Sequence, residues 1–267
     1  MIRLALLLIV LAGPLWAMGP WKSDCVDLTP CDIGDRSYHV REPDGWDGES
    51  PLPVLLHFHG WQRQGTLIVR HQRISGATRR RGVLLVAPNG ENRTWDFWDK
   101  DTDDVDFARA VLEEVKARYP VDESRVYVSG YSWGSNMAWR FVCEDGADIT
   151  ALLAISGTLR QNEDCATAPA EVRQVYGLND QVLDFPYGPS GETTYPVKLW
   201  RDKFECGVGQ ATGPWQQVSF LTLERTVWED CARGRVSLDI HPGGHFIPHG
   251  WIARQLDELL GRKLSYP

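Results

Sequence analysis

The sequence has no apolar run long enough to cross a bilayer, no C-x-x-C cysteine pair and no excess of basic residues. Its longest apolar stretch, residues 4–12, is about half the length of a membrane-spanning helix. Without C-x-x-C spacing, neither a zinc centre nor a dithiol redox site is expected. A net charge of −8 argues against nucleic acid or an anionic membrane as a partner. What remains is a chain of 267 residues, long enough for one large α/β domain.

The first 17 residues have the organisation of a secretory signal. Arg3 supplies a charged start, the apolar run follows, and Ala17 offers a small residue for cleavage. We therefore predict a signal peptide at 1–17, a single catalytic domain at 18–267, and a secreted or periplasmic protein with no membrane attachment after cleavage. The alternatives are an uncleaved anchor or an ordinary buried strand.

All six cysteines lie beyond the predicted signal. An even number in an exported chain favours disulfide bonds, although six cysteines allow fifteen pairings. We predict that neighbours along the chain pair with each other: Cys25 with Cys31, Cys143 with Cys165, and Cys206 with Cys231. The second bridge would tie the end of a helix to a later loop.

The stretch at residues 125–141 has the pattern of a nucleophile elbow. A short apolar strand at 126–129 leads into Gly130-Tyr131-Ser132-Trp133-Gly134, and a helix is predicted from about Trp133. Both glycines are needed, because a Cβ at either position would collide with the neighbouring strand or helix. The turn would expose Ser132 Oγ. It would also place the backbone N–H of Trp133 at a helix N-terminus, where it can stabilise an oxyanion.

Apolar strand patterns alternate with amphipathic helix patterns along most of the chain. Strands are predicted at 38–41, 54–58, 83–87, 151–155, 172–176 and 236–240, and helices at 66–80, 104–119 and 251–260. This alternation is typical of an α/β-hydrolase fold, with a mostly parallel doubly wound sheet and helices on both faces. The sequence says little about the shape of residues 185–235.

The strand at 54–58 runs directly into His59-Gly60-Trp61. In an α/β-hydrolase the loop after this strand supplies the second oxyanion donor, which we assign to the backbone N–H of Trp61. His57 and His59 precede the elbow in the chain, so we interpret both as hydrogen-bonded support for the loop rather than as catalytic groups.

Three residues that follow predicted strands form a candidate catalytic triad. A serine hydroxyl needs a base to take its proton, and an imidazole needs an acid that fixes its tautomer and supports its charge. Ser132, Asp180 and His245 occur in the chain order that α/β-hydrolases use. His245 is favoured as the base because two glycines precede it and allow its loop to reach the site. Three further residues remain alternatives for these roles: the acid Asp184 and the bases His241 and His249.

Several stretches resemble the esterase family of secreted polyhydroxybutyrate depolymerases and the related feruloyl and acetylxylan esterases: LLHFHGW, DDVDFARAVLEEV, VDESRVYVSGYSWGSNMA, ALLAISG, YGLNDQVLDF and PGGHFIPHGW. Together they span residues 55–251. The resemblance implies an α/β-hydrolase fold, with the nucleophile at Ser132, the acid at Asp180 of the G-x-x-D-x-V pattern and the base at His245 of G-G-H. The chain departs from the family at Trp61 and Trp133, where members often have a small residue.

These patterns together predict a secreted serine esterase that forms an acyl-enzyme on Ser132 and uses neither metal nor cofactor. Four tryptophans could flank an acyl or aryl group, or could instead be core residues: Trp61, Trp95, Trp98 and Trp133. We expect a small or oligomeric soluble ester as the substrate, and no nucleic acid partner. Two alternatives remain: a serine peptidase on the same fold, and a binding protein with a vestigial triad. The oligomeric state is left open.

Overall fold

A computed structural model describes residues 24–160, 163–183 and 197–266 of the chain. The predicted signal peptide at 1–17 and the alternative acid Asp184 lie outside the described residues. The elements follow in the order β1 (Cys31–Ile33), β2 (Arg36–Arg41), β3 (Leu52–Phe58), α1 (Gly65–Arg70), α2 (Ser75–Arg79), β4 (Leu84–Pro88), a 3₁₀ turn (Glu91–Arg93), α3 (Asp103–Arg118), β5 (Val121–Tyr131), α4 (Trp133–Asp145), β6 (Ala151–Ile155), β7 (Glu171–Gly177), α5 (Val197–Lys203), β8 (Gln210–Val218), β9 (Leu221–Trp228), β10 (Arg235–His241) and α6 (Trp251–Leu259).

The described strands form one sheet in the order β1-β2-β4-β3-β5-β6-β7-β10-β9-β8. Its six central strands, from β4 to β10 in that order, run parallel. Two antiparallel strands extend it at each edge. The predicted mostly parallel sheet is confirmed, and the hairpin β8–β9 comes from the region that the sequence left open.

Helices cover both faces of this sheet. On one face α3, α4 and α5 pack into an apolar core that contains Phe58, Trp139 and Trp200. On the other face α1, α2 and α6 pack into a second core, with Trp251 and Leu256 at its centre. Three of the inner strands, β3, β4 and β6, are buried along their whole length, as expected where helices lie on both sides.

The single helix predicted at 66–80 is wrong, because the chain forms two short helices there. The first ends where His71 adopts an extended conformation (φ −76°, ψ 111°), and the second begins only at Ser75. The segment contains several β-branched residues, which lower helix propensity, and three of them, Ile68, Val69 and Ile74, are buried in the core on this face. The chain then passes through Gly82, whose φ of +70° lies in the left-handed region that favours glycine.

Three disulfide bonds join the cysteines in the predicted pairing. They are Cys25–Cys31, Cys143–Cys165 and Cys206–Cys231. The second connects the last turn of α4 to the segment that leads into β7, as expected from the sequence.

In the described part of the chain, no helix has both the length and the apolar character needed to span a membrane.

Candidate active site

Ser132 lies on a strained turn between β5 and α4. Its backbone has φ 57° and ψ −125°, a conformation that a residue with a side chain rarely adopts. A Cβ at Gly130 would lie 2.0 Å from the carbonyl oxygen of Gly134, and one at Gly134 would lie 2.1 Å from that of Phe58. The predicted need for both glycines is confirmed, since any side chain there would meet backbone that cannot yield.

The surrounding hydrogen bonds hold this turn in place. The Ser132 N–H donates to the carbonyl of Ile155 on β6 at 3.0 Å. Its own carbonyl accepts from the amides of Ser135 and Asn136, at 2.8 and 3.0 Å. The serine is thus fixed to the neighbouring strand on one side and to the first turn of α4 on the other.

His245 lies between Ser132 and Asp180. Its Nε2 is 2.8 Å from Ser132 Oγ, and its Nδ1 is 2.7 Å from Asp180 Oδ2. An ionised carboxylate can only accept, so Nδ1–H donates to it and Nε2 is left free to receive the serine proton. The His245 side chain is 13% exposed and that of Asp180 is fully buried. The structure therefore brings the three predicted residues together at the carboxyl ends of the strands.

The two oxygens of Asp180 have separate partners. Oδ1 accepts from the backbone N–H groups of Val182 and Leu183 at 2.9 and 3.1 Å, and Oδ2 faces the imidazole. A buried carboxylate with both oxygens hydrogen-bonded avoids the cost of an unpaired charge. Its orientation toward the base is consequently set by backbone as well as by the histidine.

Backbone contacts also join two loops: the loop after β7, which carries Asp180 (the acid loop), and the loop after β10, which carries His245 (the base loop). The N–H of Leu178 donates to the carbonyl of His241 at 2.8 Å, and that of Asn179 donates to Gly243 at 3.0 Å. A Cβ at Gly177 would lie 2.3 Å from the Gly243 carbonyl oxygen, so the loops pass at backbone contact distance. This close approach depends on glycine, and it sets the separation of acid and base.

The alternative bases have other surroundings. The ring of His241 is buried, accepts from the Gly243 N–H at 3.1 Å, and has its pKa lowered to about 4 by burial. His249 packs edge-on against Phe220, with the ring centroids 5.1 Å apart, and burial lowers its pKa as well. Among the described contacts, only His245 reaches the Ser132 hydroxyl.

The two predicted oxyanion donors, Trp61 and Trp133, both line the cleft at Ser132. Trp133 is the first residue of α4, so its N–H belongs to the unpaired first turn of that helix. Gly60 closely approaches the elbow, since a Cβ on it would lie 3.7 Å from Ser132 Cβ, and Trp61 follows it directly. The two indoles stack with centroids 6.2 Å apart, at an angle of 30°. Their role as amide donors stays a prediction.

His59 fixes the loop that carries Trp61. Its Nε2 accepts from the Gly90 N–H at 3.0 Å, so its Nδ1 carries the proton and donates to the Gly60 carbonyl at 2.9 Å. Its own carbonyl accepts from the indole N–H of Trp95 at 2.8 Å. Burial lowers its pKa to about 4, which keeps the ring neutral. These contacts agree with the supporting role predicted for this histidine.

His57 is enclosed beneath the same loop, within β3. Its Nδ1 lies 3.1 Å from Ser129 Oγ on β5, and burial lowers its pKa to about 3. It is fully buried and bonds to neither Ser132 nor Asp180 within the described structure. The expected supporting role fits this position too.

A cleft of about 210 Å³ opens above Ser132. Its lining consists of Gly60, Trp61, Arg63, Tyr131, Ser132, Trp133, Val182 and His245. Sequence reasoning missed Tyr131, Arg63 and Val182, although each is within two residues of a predicted site residue. Proximity to a motif was the available signal, but it does not show which side chains point into the cleft.

The four candidate tryptophans divide into one core residue, two that line the cleft and one that packs against a cleft residue. Trp95 is 2% exposed and packs edge-on against Phe58. Trp61 and Trp98 are 59% and 44% exposed. Trp98 stands perpendicular to Trp133, with centroids 6.0 Å apart. Exposed indole surface therefore lies beside Ser132.

The fold and the geometry at Ser132 define the class of protein: an α/β-hydrolase with a serine at its nucleophile elbow. No protein-family model matches the chain. Feruloyl esterase C of Emericella nidulans is 29% identical over 170 residues, which cover 61% of this chain and 62% of that protein. A putative esterase of Nocardia uniformis, NocK, is 31% identical over 233 residues, covering 75% of this chain and 66% of that protein.

Solved structures show the same fold. An acetyl xylan esterase from Aspergillus awamori superposes with a TM-score of 0.63 at 15% identity, covering 85% of this chain and 94% of that one. The chain therefore has an α/β-hydrolase fold and is similar in sequence to feruloyl esterases. It spans about 60% of the length of feruloyl esterase C of Emericella nidulans and of the probable feruloyl esterase C of Aspergillus niger. The polyhydroxybutyrate depolymerase part of the predicted resemblance stays a prediction.

Proposed function

We propose that this protein is a secreted serine esterase that hydrolyses carboxylic ester bonds through an acyl-enzyme on Ser132. The observation that carries the proposal is the hydrogen-bonded chain from Ser132 through His245 to Asp180, at 2.8 and 2.7 Å. The relatives named as feruloyl and acetylxylan esterases support ester rather than amide chemistry. Such a triad needs no metal or cofactor.

The mechanism proceeds in two halves. His245 Nε2 takes the proton as Ser132 Oγ attacks the ester carbonyl, and the backbone amides of Trp61 and Trp133 stabilise the resulting oxyanion. The imidazolium then returns that proton to the departing alcohol oxygen, and the acyl-enzyme forms. Water enters, loses a proton to His245 and attacks the acyl carbonyl. Collapse of the second intermediate releases the carboxylic acid and restores the Ser132 hydroxyl.

The cleft favours a small soluble substrate. Its volume of about 210 Å³ is below that of a typical pocket for a drug-sized ligand, which is roughly 300 to 1,000 Å³. The indoles of Trp61, Trp98 and Trp133 offer flat apolar surface beside the nucleophile. We infer acetyl or aryl esters, or short oligomers, as substrates.

Secretion is the proposed location. Three disulfide bonds support it, because such bonds persist in oxidising compartments. Cleavage of the predicted signal after Ala17 would leave Met18 as the new N-terminus. N-terminal sequencing of protein exported by a secreting host tests this, and a protein retained in the cytoplasm with Met1 intact would contradict it.

The first experiment is labelling of purified protein with a fluorophosphonate, followed by intact mass and peptide mapping. We expect a single adduct on Ser132, and neither an adduct nor p-nitrophenyl acetate hydrolysis with Ser132→Ala. Ser237→Ala, a buried serine on β10, is the matched control and should label like the wild type. Folded wild-type protein that fails to label would favour the binding-protein alternative. Faster cleavage of peptide p-nitroanilides than of esters would favour the peptidase.

A further inference from the structure

Tyr131, the residue before the nucleophile, contacts both the base His245 and the loop that carries Trp61. Its hydroxyl donates to the backbone carbonyl of His245 at 2.9 Å, and its ring lies 5.0 Å from the imidazole, centroid to centroid. On the other side, its carbonyl oxygen and Cδ1 lie 3.3 and 3.4 Å from the position that a Cβ on Gly60 would occupy. Tyr131 thus contacts the base and packs against the loop that contains Gly60 and Trp61.

The hydrogen bond from the Tyr131 hydroxyl restrains the backbone of His245, whereas Asp180 and Ser132 contact only its imidazole. Asp180 and Ser132 hold the imidazole at its two nitrogens, but the backbone of His245 sits on a loop that follows two glycines. Burial raises the pKa of Tyr131 to about 12, so its hydroxyl remains a donor across neutral pH. The tilted contact between the rings, at 35°, limits sliding of the imidazole along the cleft.

We propose that Tyr131 is a positioning residue that aligns His245 for proton transfer to the leaving alcohol. This inference rests on the proposed function. In the first half-reaction, Nε2–H must point from the serine oxygen toward the departing oxygen at the moment the C–O bond breaks. A base whose loop can shift by a fraction of an ångström transfers that proton less efficiently, although it remains hydrogen-bonded to the acid.

The test compares Tyr131→Phe with Tyr127→Phe. Both tyrosines lie on β5, and the Tyr127 hydroxyl is buried without a hydrogen-bond partner in the described structure, so the control removes the same atom away from the site. The substrates are ethyl acetate and p-nitrophenyl acetate, which share an acyl group. The p-nitrophenolate departs without needing a proton, whereas ethoxide does need one.

We expect Tyr131→Phe to lower kcat/KM for ethyl acetate about three- to tenfold, the effect of one lost hydrogen bond, and to lower it less for p-nitrophenyl acetate. Tyr127→Phe should leave both values within twofold of wild type. Unfolding midpoints of the two variants show whether each is folded.

Two outcomes would overturn the role of Tyr131: unchanged kcat/KM for both esters, or an equal loss for both esters. The second would indicate general loosening of the site instead of lost alignment for the leaving group. Failure of the proposed function gives a separate result, because Ser132→Ala would then retain hydrolysis whatever Tyr131→Phe does.

Discussion

At the scale of single residues, backbone amides help to orient the side chain of Asp180, the candidate acid. Asp180 Oδ1 is bound by two amides of its own turn, and Oδ2 alone faces His245. An asparagine could keep the amide contacts through its carbonyl oxygen, but its NH₂ would face Nδ1. The imidazole would then present the wrong tautomer to the serine.

We therefore expect Asp180→Asn to fold normally and to lose activity by roughly 10⁴-fold in kcat. The matched variant Asp184→Asn changes the alternative acid by the same chemistry and should retain activity within a few fold. Initial rates with p-nitrophenyl acetate, together with near-UV circular dichroism for folding, measure both. A large loss of activity in Asp184→Asn and a small loss in Asp180→Asn would mean that Asp184, and not Asp180, is the acid.

The proximity of the three candidate triad residues could be predicted because each follows a buried strand, and the ends of such strands can be recognised in the sequence. The role of Tyr131 could not be predicted. Its hydroxyl bonds to a backbone carbonyl 114 residues further along the chain, and no local pattern encodes such a contact. Trp95 and Trp98 likewise have similar sequence surroundings, yet Trp95 is a core residue and Trp98 is exposed and packs against Trp133.

At the scale of elements, β3 and the loop after it contain two buried histidines beneath the nucleophile. Burial lowers the pKa of His57 to about 3 and of His59 to about 4, against about 6.5 in an unfolded chain. Between pH 6.5 and 4 the unfolded state consequently binds more protons than the folded state. The two histidines therefore contribute fully to the free energy of unfolding above pH 6.5, and this contribution decreases as the pH falls through this window.

We expect the urea midpoint to be lower at pH 5 than at pH 7. Four more histidines have pKa values lowered by burial and act in the same direction: His39, His71, His241 and His249. Equilibrium unfolding followed by tryptophan fluorescence at the two pH values provides the measurement. An equal or higher midpoint at pH 5 would contradict the neutral, buried state of these rings.

The sequence predicted most strands to within a few residues, and β6 to the residue, because an inner parallel strand is a short apolar run with clear ends. The helix at 66–80 was predicted wrongly, since an amphipathic period does not reveal a break at His71. The hairpin β8–β9 was missed because β8 has only one buried residue and its pairing with β9 contains two register shifts.

At the scale of the whole molecule, the parallel central strands bring distant parts of the chain together at their carboxyl ends. The elbow, the acid loop and the base loop follow β5, β7 and β10, which all end on the same side. The disulfide bonds act at this scale as well, because they stabilise mainly by restricting the unfolded chain. Their contributions should therefore follow the lengths of the loops that they close.

Two bridges allow a matched comparison. Cys143–Cys165 closes a separation of 22 residues and Cys25–Cys31 one of 6, and all four cysteines are buried, so alanine pairs remove similar side chains. Loop entropy predicts that Cys143→Ala/Cys165→Ala lowers the free energy of unfolding by about 1 kcal/mol more than Cys25→Ala/Cys31→Ala. Urea unfolding of both double variants measures the difference. Equal losses, or a larger loss for the short loop, would mean that native contacts around the bridges outweigh the restriction of the unfolded chain.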